Sequence, residues 1–228
     1  MKIAILTSVI GLGGSKIYDP EFNYQRPGEI DYYAFVDFLH PCQVWRQINL
    51  SKFSIIDQKY QDRRNAKLPK VLGSLLVPGY DFYIWHDNYA EVRMHPHKLI
   101  QNYLKDNYIS VFRHPQRNCA YQEIETVTRY GVDLETNLTG IKSFFQTQGF
   151  PENQGLFELS SFIYRNNLTM TSFMLSWWEL ICKYTSRDQI TFPYLLKKYN
   201  VPYAVLPGSG QSYAINNEFF PQVRRKGN

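Results

Sequence analysis

Six runs rich in β-branched and aromatic residues recur along the chain with helical segments between them, and this alternation constrains the fold more than any other feature. Most of the runs are continuously apolar and do not alternate between apolar and polar residues. Strands of that kind are typical of a sheet covered on both faces. The runs are Lys2–Ile10, Asp31–Phe38, Phe82–Trp85, Ile109–His114, Gly155–Asn166 and Val201–Pro207.

Five further segments carry apolar residues at helical spacing or end signals of helices. Thr171 or Ser172 is the predicted N-cap of the segment that ends at Thr185. Ser186 is the predicted N-cap of the last segment, in which Pro193 predicts a kink. Strands that alternate with helices predict an α/β fold with a mixed, largely parallel sheet in a single domain. The helical segments are Ala66–Pro78, His97–Lys105, Cys119–Gly131, Thr171–Thr185 and Ser186–Asn200.

The charge of the chain is mildly positive, with 25 Lys and Arg against 20 Asp and Glu. Because these residues are scattered and form no basic stripe, they favour a phosphorylated or other anionic ligand and not nucleic acid. Three cysteines without a CxxC pair indicate a reducing compartment. No stretch of eighteen apolar residues occurs, so no membrane span is predicted, and the N-terminal apolar run suits a first strand better than a signal peptide. We therefore expect a cytoplasmic protein.

The motif "GLGGSK" follows the first run but matches no nucleotide loop. It lacks the third glycine of GxGxxG, where Lys16 stands, and the four-residue spacing of a Walker loop. What it predicts is a glycine turn at the carboxyl end of a strand. Such a turn is either purely structural or lets the backbone approach a ligand.

The segment "WHDNYAEVRMHPH" ends a predicted core strand with groups that can bind metal. In an α/β fold, Asp87 at the end of this strand projects into the crevice where ligands bind. One or two such carboxylates hold a divalent cation on phosphate oxygens, although Asp87 could instead cap the next turn. A zinc site made of His86, His95, His97 and Cys119 is a further alternative.

Two groups of basic residues are candidates for binding a diphosphate. The motif "RHPQR" places Arg113, His114 and Arg117 directly after a predicted strand, and guanidinium groups bind phosphate oxygens through two hydrogen bonds. The other group precedes the Asp87 strand and could neutralise a leaving diphosphate. Surface salt bridges and a solvated helix face are the competing interpretations. The members of the second group are Arg63, Arg64, Lys67 and Lys70.

Two carboxylates are candidates for binding or deprotonating a hydroxyl group. Asp188 follows Arg187 at a predicted helix start, where the helix dipole alone would account for an acidic residue. In a pocket the same carboxylate could take a proton from an acceptor hydroxyl or bind a sugar hydroxyl. Glu158, in the strand "GLFELSSF", is the second candidate.

Taken in order, several motifs resemble the glycosyltransferase-like family that was once catalogued only as a domain of unknown function and that includes plant proteins linked to mucilage pectin. The resemblance covers about residues 31 to 206. It rests on the order of RHPxR, a paired tryptophan and RDQ, since each motif alone is weak. The motifs are "AFVD", "AKLPKVL", "YDFYIWHDN", "VFRHPQRNCAYQE", "GFPENQGLFELSSFIYRNN" and "WWELICKYTSRDQITFPYL".

The resemblance implies a GT-A architecture, in which a Rossmann-like sheet binds a nucleotide-sugar and a DxD-type motif holds Mn²⁺ or Mg²⁺ on the diphosphate. It places Asp87 as the last Asp of that motif and Asp37 as the carboxylate that meets the base or ribose. The chain departs from this motif at one position, because Trp85 replaces the first acid. Metal binding would then rest on Asp87, with help from His86 or a more distant group. It also implies a nucleotide-binding half at about 1–115 and an acceptor half at about 116–228.

The implied activity is transfer of a sugar from a nucleoside-diphosphate donor to a glycan or other hydroxyl acceptor. Such transfer passes through an oxocarbenium-like state, as glycoside hydrolysis does. If the reaction inverts, Asp188 is the expected base, with Glu158 second, and Asp87 is the expected metal ligand. The donor-binding residues expected are Asp37, Arg63, Lys67, Lys70, Trp85, His86, Arg113, His114, Arg117, Arg187 and Gln189.

Two other classes of function stay open at this point. A metal-dependent hydrolase or phosphoesterase would use Asp87 together with the histidines at positions 86, 95, 97 and 114, and would bind zinc or two metals. A catalytically inactive GT-A module that binds a glycan or a partner would bind no donor. Trp177 and Trp178 are successive on a predicted helix, so at least one is expected in the core.

Overall fold

The computed structural model describes residues 1–11, 16–50, 60–210 and 217–221, and within them seven strands form one sheet. The order of the strands is β3-β2-β1-β4-β6-β5-β7. The strands are β1 (Ile3–Val9), β2 (Ile30–Val36), β3 (Arg46–Asn49), β4 (Phe82–His86), β5 (Ile109–Arg113), β6 (Phe157–Arg165) and β7 (Tyr203–Leu206).

The helices follow the strands in alternation along most of the chain. A π-helical turn, Ile100–Leu104, continues the second helix. The helices are α1 (Gln61–Leu76), α2 (Pro96–Leu99), α3 (Ala120–Arg129), α4 (Glu135–Thr147), α5 (Leu168–Lys183) and α6 (Asp188–Lys198). The predicted α/β fold with a mixed, mostly parallel sheet is confirmed.

Strand β6 is the antiparallel member of the sheet, since it runs opposite to both of its neighbours, β4 and β5. The remaining neighbouring pairs are parallel. The carboxyl ends of β1, β2, β4 and β5 therefore lie at one edge of the sheet, together with the amino end of β6. We call this the carboxyl edge.

Both faces of the sheet are covered, as the continuous apolar runs predicted. Helices α1 and α3 to α6 cover one face, where side chains such as Phe145 and Trp177 are fully buried. On the other face α2 packs with Phe219 and Phe220 near the C-terminus. Trp177 lies in the core and Trp178 packs against it, which agrees with the prediction that at least one is a core residue.

The structure corrects several local predictions. Helix α5 begins earlier than expected, and its N-cap is Asn167, whose side chain accepts a hydrogen bond from the backbone N–H of Met170. Ser186 does not cap α6; its hydroxyl donates to Asp133 instead. Strand β3 and helix α4 were not predicted. Helix α6 continues through Pro193.

No helix in the described part of the chain combines the length and the apolar character needed to cross a bilayer.

Candidate functional site

The turn after β1 and the end of β2 are joined by a hydrogen bond from the N–H of Gly11 to Oδ2 of Asp37, over 2.8 Å. Gly11 has a φ of +68°, and a Cβ at this position would lie 2.3 Å from Cβ of Asp62. Glycine is therefore required where the turn meets the start of α1. Oδ1 of Asp37 is buried without a hydrogen-bond partner among the described residues. The rest of the glycine motif, at 12–15, lies outside them.

Asp87 follows β4 directly and stands at the carboxyl edge with 26% of its side chain exposed. Its Oδ1 accepts the indole N–H of Trp85 at 2.9 Å, and its Oδ2 accepts the hydroxyl of Tyr89 at 3.2 Å. Its backbone N–H donates to the carbonyl of Ser160 on β6. The carboxylate is therefore oriented from both sides by neighbouring aromatic residues.

Two lysines of α1 join this strand end to the start of α6. Lys67 and Lys70 place their ammonium groups 2.9 and 2.7 Å from Oδ2 of Asp188. Lys70 also lies 3.6 Å from Oδ1 of Asp87 and 6.0 Å from the centre of the Trp85 ring. Because these ammonium groups are ion-paired inside the protein, the alternative of a solvated helix face is wrong for them.

The charges in this cluster change the pKa of each member. Burial raises the pKa of Asp188, but Lys67 and Lys70 outweigh it and hold the pKa well below its ordinary value. Burial lowers the pKa of Lys67, and Asp188 offsets only part of this effect. For Lys70 burial also lowers the pKa, but Asp188 and Asp87 together raise it above its ordinary value. Asp188 is thus ionised and Lys70 is protonated at neutral pH.

A second charged group joins the two arginine motifs through Glu123. Nε of Arg117 donates to Oε2 of this buried carboxylate at 2.6 Å, and Arg187 lies 3.8 Å from Oε1. Arg187 also donates to Oε1 of Gln189 at 3.2 Å. Nε of Arg187 and Nε2 of Gln189 are buried donors without a hydrogen-bond partner among the described residues. These two donors lie beside Asp188 in sequence and can take an acceptor from a ligand.

His114 packs against Arg117 and is a neutral side chain. Its Nδ1 accepts from the backbone N–H groups of Gln116 and Arg117, and the guanidinium of Arg117 lies 3.1 Å from Nε2. Burial, and then the charges of Arg117 and Arg187, lower the pKa of His114 to about 4. His114 therefore brings no positive charge to the site at neutral pH.

The remaining predicted basic residues lie at the margins of the site. Arg63 donates to the carbonyl of Val132, and burial, followed by the charge of Arg187, lowers its pKa. Arg64 is buried and donates to the carbonyls of Ile181 and Tyr184 at the end of α5, which is a structural role. The exposed Arg113 donates weakly to Asn118, at 3.5 Å.

Glu158 lies at the amino end of β6, at the carboxyl edge, and its carboxylate is buried. Oε2 accepts the hydroxyl of Ser209 at 2.6 Å and the backbone N–H of Gly210 at 2.8 Å. A Cβ on Gly210 would lie 2.5 Å from Oγ of Ser160, whose carbonyl binds Asp87. Glu158 thus holds the segment after β7 close to Asp87.

The histidines predicted for a hydrolase do not come together. His86 is buried and its Nδ1 lies 3.1 Å from the carbonyl of Asp87, whereas His97 pairs with Glu29 at 3.3 Å. Glu29 precedes β2, at the amino edge of the sheet, so His97 and the adjacent His95 lie at the opposite edge from Asp87. The histidine cluster on which the hydrolase and zinc alternatives depend is therefore not formed in the described residues, where no group of three metal-binding side chains occurs.

The same observations bear on Mn²⁺ or Mg²⁺ at Asp87. These ions take several hard oxygen ligands, and protein carboxylates supply one or two of them. At the position of the first expected acid, Trp85 offers an N–H and no oxygen. The neighbouring carboxylate, Asp188, is held by two ammonium groups. Asp87 thus lies next to a lysine, neither Trp85 nor Asp188 supplies a second ligand, and these side chains do not fit a divalent-cation site.

Asp133 was missed by the sequence analysis, as were Glu123 and Tyr89. Its buried carboxylate accepts from the hydroxyls of Thr185 and Ser186 and from the N–H of Ser186. Burial raises the pKa of Asp133, but these hydrogen bonds and one from Asn137 lower it overall. Asp133 therefore fixes the chain just before Arg187, and no local motif signals this long-range contact.

The chain has the GT-A fold of glycosyltransferases, as its mixed seven-stranded sheet and its structural likeness to WbbM show. The chain belongs to the TOD1/MUCI70 family of glycosyltransferase-like domains, whose family model matches residues 36–214, more than half of the chain.

Individual proteins are also similar to this chain. The chain is 24% identical over 159 residues to the probable hexosyltransferase MUCI70 of Arabidopsis thaliana. The aligned region covers 65% of this chain and 27% of the plant protein. The bifunctional glycosyltransferase WbbM has a similar structure, with a TM-score of 0.51, 12% identity and coverage of 90% of this chain and 39% of WbbM. The structure of core-mannan synthase A from Aspergillus fumigatus, in a Mn/GDP form, has a TM-score of 0.46 to this chain and 9% identity. The match covers 86% of this chain and 69% of the synthase chain. At 12% identity, the likeness to WbbM shows the fold alone.

Proposed function

We propose that this protein transfers a sugar, as a hexosyltransferase-like enzyme, from a nucleoside-diphosphate donor to a hydroxyl group of a glycan or another acceptor. The family and the fold support glycosyl transfer in general. The chemical nature of the donor and of the acceptor is inferred from the side chains at the carboxyl edge.

The observation that carries the proposal is the pair of buried, unpartnered donors on Arg187 and Gln189 beside the Lys67–Asp188 ion pair. Phosphate oxygens are strong acceptors for such N–H groups and for lysine. Lys67 is 19% exposed, so it can meet a ligand while still paired with Asp188. A diphosphate that reached Arg187, Gln189 and Lys67 would supply acceptors for all three.

Asp37 supports a nucleoside next to the diphosphate. Its Oδ1 is buried without a partner, while its other oxygen is fixed by the N–H of Gly11. A carboxylate oxygen held in this way can accept hydrogen bonds from ribose hydroxyls or from a base. Asp37 and Asp87 end β2 and β4, on either side of β1, so both can contact one extended donor.

The acceptor hydroxyl must lose a proton during transfer, and Asp188 and Glu158 were the predicted bases. Both carboxylates bind groups of the protein itself, Asp188 two lysines and Glu158 the Ser209–Gly210 segment. A general base works best with a pKa near the working pH, and that of Asp188 is far lower. These contacts support a positioning role for both residues.

The sequence also predicts Mn²⁺ or Mg²⁺ at Asp87 and a cytoplasmic location. A metal at Asp87 stays a prediction, which donor binding with and without Mn²⁺ tests. Location within the cell stays a prediction from composition.

Thermal melting of the purified protein with UDP, GDP, CDP or dTDP tests the proposal. A nucleoside diphosphate at a hundredfold excess over its Kd stabilises the native state by about 2.7 kcal/mol. The matching nucleosides are the control and should shift the Tm much less, because they lack the diphosphate. If none of the four diphosphates raises the Tm, with or without Mn²⁺, the proposal fails. Release of nucleoside diphosphate from the matching sugar donor then separates an enzyme from an inactive binding module.

A further inference from the structure

Lys70 occupies a place between two carboxylates at the carboxyl edge. Its ammonium lies 2.7 Å from Oδ2 of Asp188 and 3.6 Å from Oδ1 of Asp87, and only 2% of its side chain is exposed. A buried cation this close to Asp87 neutralises much of its charge, because attraction is strong where water is excluded. A ligand that approaches Asp87 therefore meets a nearly neutral pair.

Trp85 and Tyr89 complete the surroundings of Asp87 without adding a metal ligand. Oδ1 already faces both the indole N–H and Lys70, and Oδ2 accepts the Tyr89 hydroxyl. A divalent cation bound at Oδ1 would have to displace an N–H donor and stand against an ammonium group. Without Lys70 and without a metal, Asp87 would repel the phosphates of a donor.

We propose that Lys70 neutralises Asp87 in place of a divalent cation, so that the protein binds its nucleoside-diphosphate donor without metal. This inference rests on the proposed function, since it presupposes such a donor. The more exposed Lys67 then contacts the diphosphate, whereas Lys70 acts from behind Asp87 as a positioning residue. These different roles follow from the exposure of the two side chains, which is 19% for Lys67 and 2% for Lys70.

Calorimetric titration tests the inference with whichever of UDP, GDP, CDP and dTDP raises the Tm most. The dissociation constant is measured in EDTA and in excess Mn²⁺. We expect the two values to agree within about threefold, whereas an ion that couples to donor binding changes affinity about fivefold or more. Binding that requires Mn²⁺ overturns the inference and leaves the proposed function intact. Absence of binding in both conditions overturns the proposed function and the inference with it.

The Lys70→Met variant gives the sharpest contrast. It leaves Asp87 unneutralised, so the dissociation constant in EDTA should rise on the order of tenfold and Mn²⁺ should restore it. Lys70→Arg keeps the positive charge, so this variant should bind the nucleoside diphosphate with little dependence on Mn²⁺. Lys67→Met is the matched control, because it removes a phosphate contact that Mn²⁺ at Asp87 cannot replace. Equal weakening of both methionine variants, without rescue by Mn²⁺, contradicts the inference.

Asp87→Asn provides a second measurement in case Lys70→Met does not fold. The amide oxygen can still accept the Trp85 N–H, but the negative charge is gone. Donor binding in EDTA should then tighten by about threefold or more, because Lys70 is left without its second partner. At a metal site the same change would abolish the Mn²⁺-dependent binding, and that result would overturn the inference.

Discussion

Trp85 donates its indole N–H to Oδ1 of Asp87, two residues further along the chain, over 2.9 Å. Residues two apart on a strand point to the same face, and at the end of β4 this places the indole beside the carboxylate. The tryptophan that stands where the resemblance led us to expect a first acid is therefore a hydrogen-bond donor to Asp87. It orients Asp87 and does not share a ligand with it.

Replacing Trp85 with phenylalanine should weaken donor binding about fivefold, because one hydrogen bond to a charged group is lost and Asp87 can rotate. The measurement is the dissociation constant of the nucleoside diphosphate. Trp45→Phe is the matched control, since Trp45 is also buried and donates its indole N–H to the carbonyl of Tyr18 at 2.9 Å. If both variants weaken binding equally, loss of core volume explains the effect and Trp85 has no special role.

The ion pairs of Asp188 predict a large loss of stability in Asp188→Asn. Removing one partner of a buried ion pair leaves uncompensated charge and costs about 3–5 kcal/mol of the free energy of unfolding, measured by urea denaturation. The double variant Asp188→Asn, Lys67→Met should recover part of this loss, because one ammonium group is removed as well. A stable Asp188→Asn protein with a turnover reduced more than about a thousandfold would instead identify Asp188 as a proton acceptor.

The contacts of Glu158 separate a positioning role from proton transfer. Glu158→Gln keeps an oxygen for the Ser209 hydroxyl and the Gly210 N–H, so turnover should fall less than about tenfold. Glu158→Ala removes both hydrogen bonds, so its turnover should fall much further and its Tm should be lower. The check is the rate of sugar transfer for the two variants under identical conditions. Complete loss of transfer in Glu158→Gln, with an unchanged Tm, would mean that the carboxylate takes a proton.

Much of the fold could be predicted because its strands are continuous apolar runs. The first four runs and the two after residue 155 all overlap observed strands. Strand β3 was missed because "RQIN" is short, polar and at the end of the sheet order, where burial imposes little pattern. The N-cap of α5 was misplaced because Asn167, Thr171 and Ser172 are all good caps, and local preference cannot choose among them.

The site was predictable residue by residue but not as a set of contacts. Lys70 and Asp188 are 118 positions apart in the sequence, and their pairing depends on α5, which packs against both α1 and α6. Glu123 lies in a helix and carries no motif, although it links Arg117 to Arg187. His95 and His97 are close to Asp87 in sequence, but the chain between them crosses to the other edge of the sheet.

His114 predicts a specific dependence of stability on pH. Its pKa is about 4 in the folded protein, against an ordinary value of about 6.5. Between these values the unfolded chain binds the proton more readily, so stability is fully present above pH ~6.5 and falls as the pH drops toward 4. The decrease in Tm from pH 7.5 to 5 should therefore be larger for the wild type than for His114→Gln. An equal decrease in both proteins would contradict the assignment of the shift to this ring.

Strand β6 also governs the order in which the chain can assemble. Phe162 pairs with Trp85 of β4 on one side and with Val111 of β5 on the other, although β6 is made after both. During translation, the facing edges of β4 and β5 therefore lack their native partner until β6 has been synthesised. Unpaired edges recruit other strands, so a nascent chain stalled before β6 is exposed to aggregation. In this protein, that interval includes the synthesis of α3 and α4.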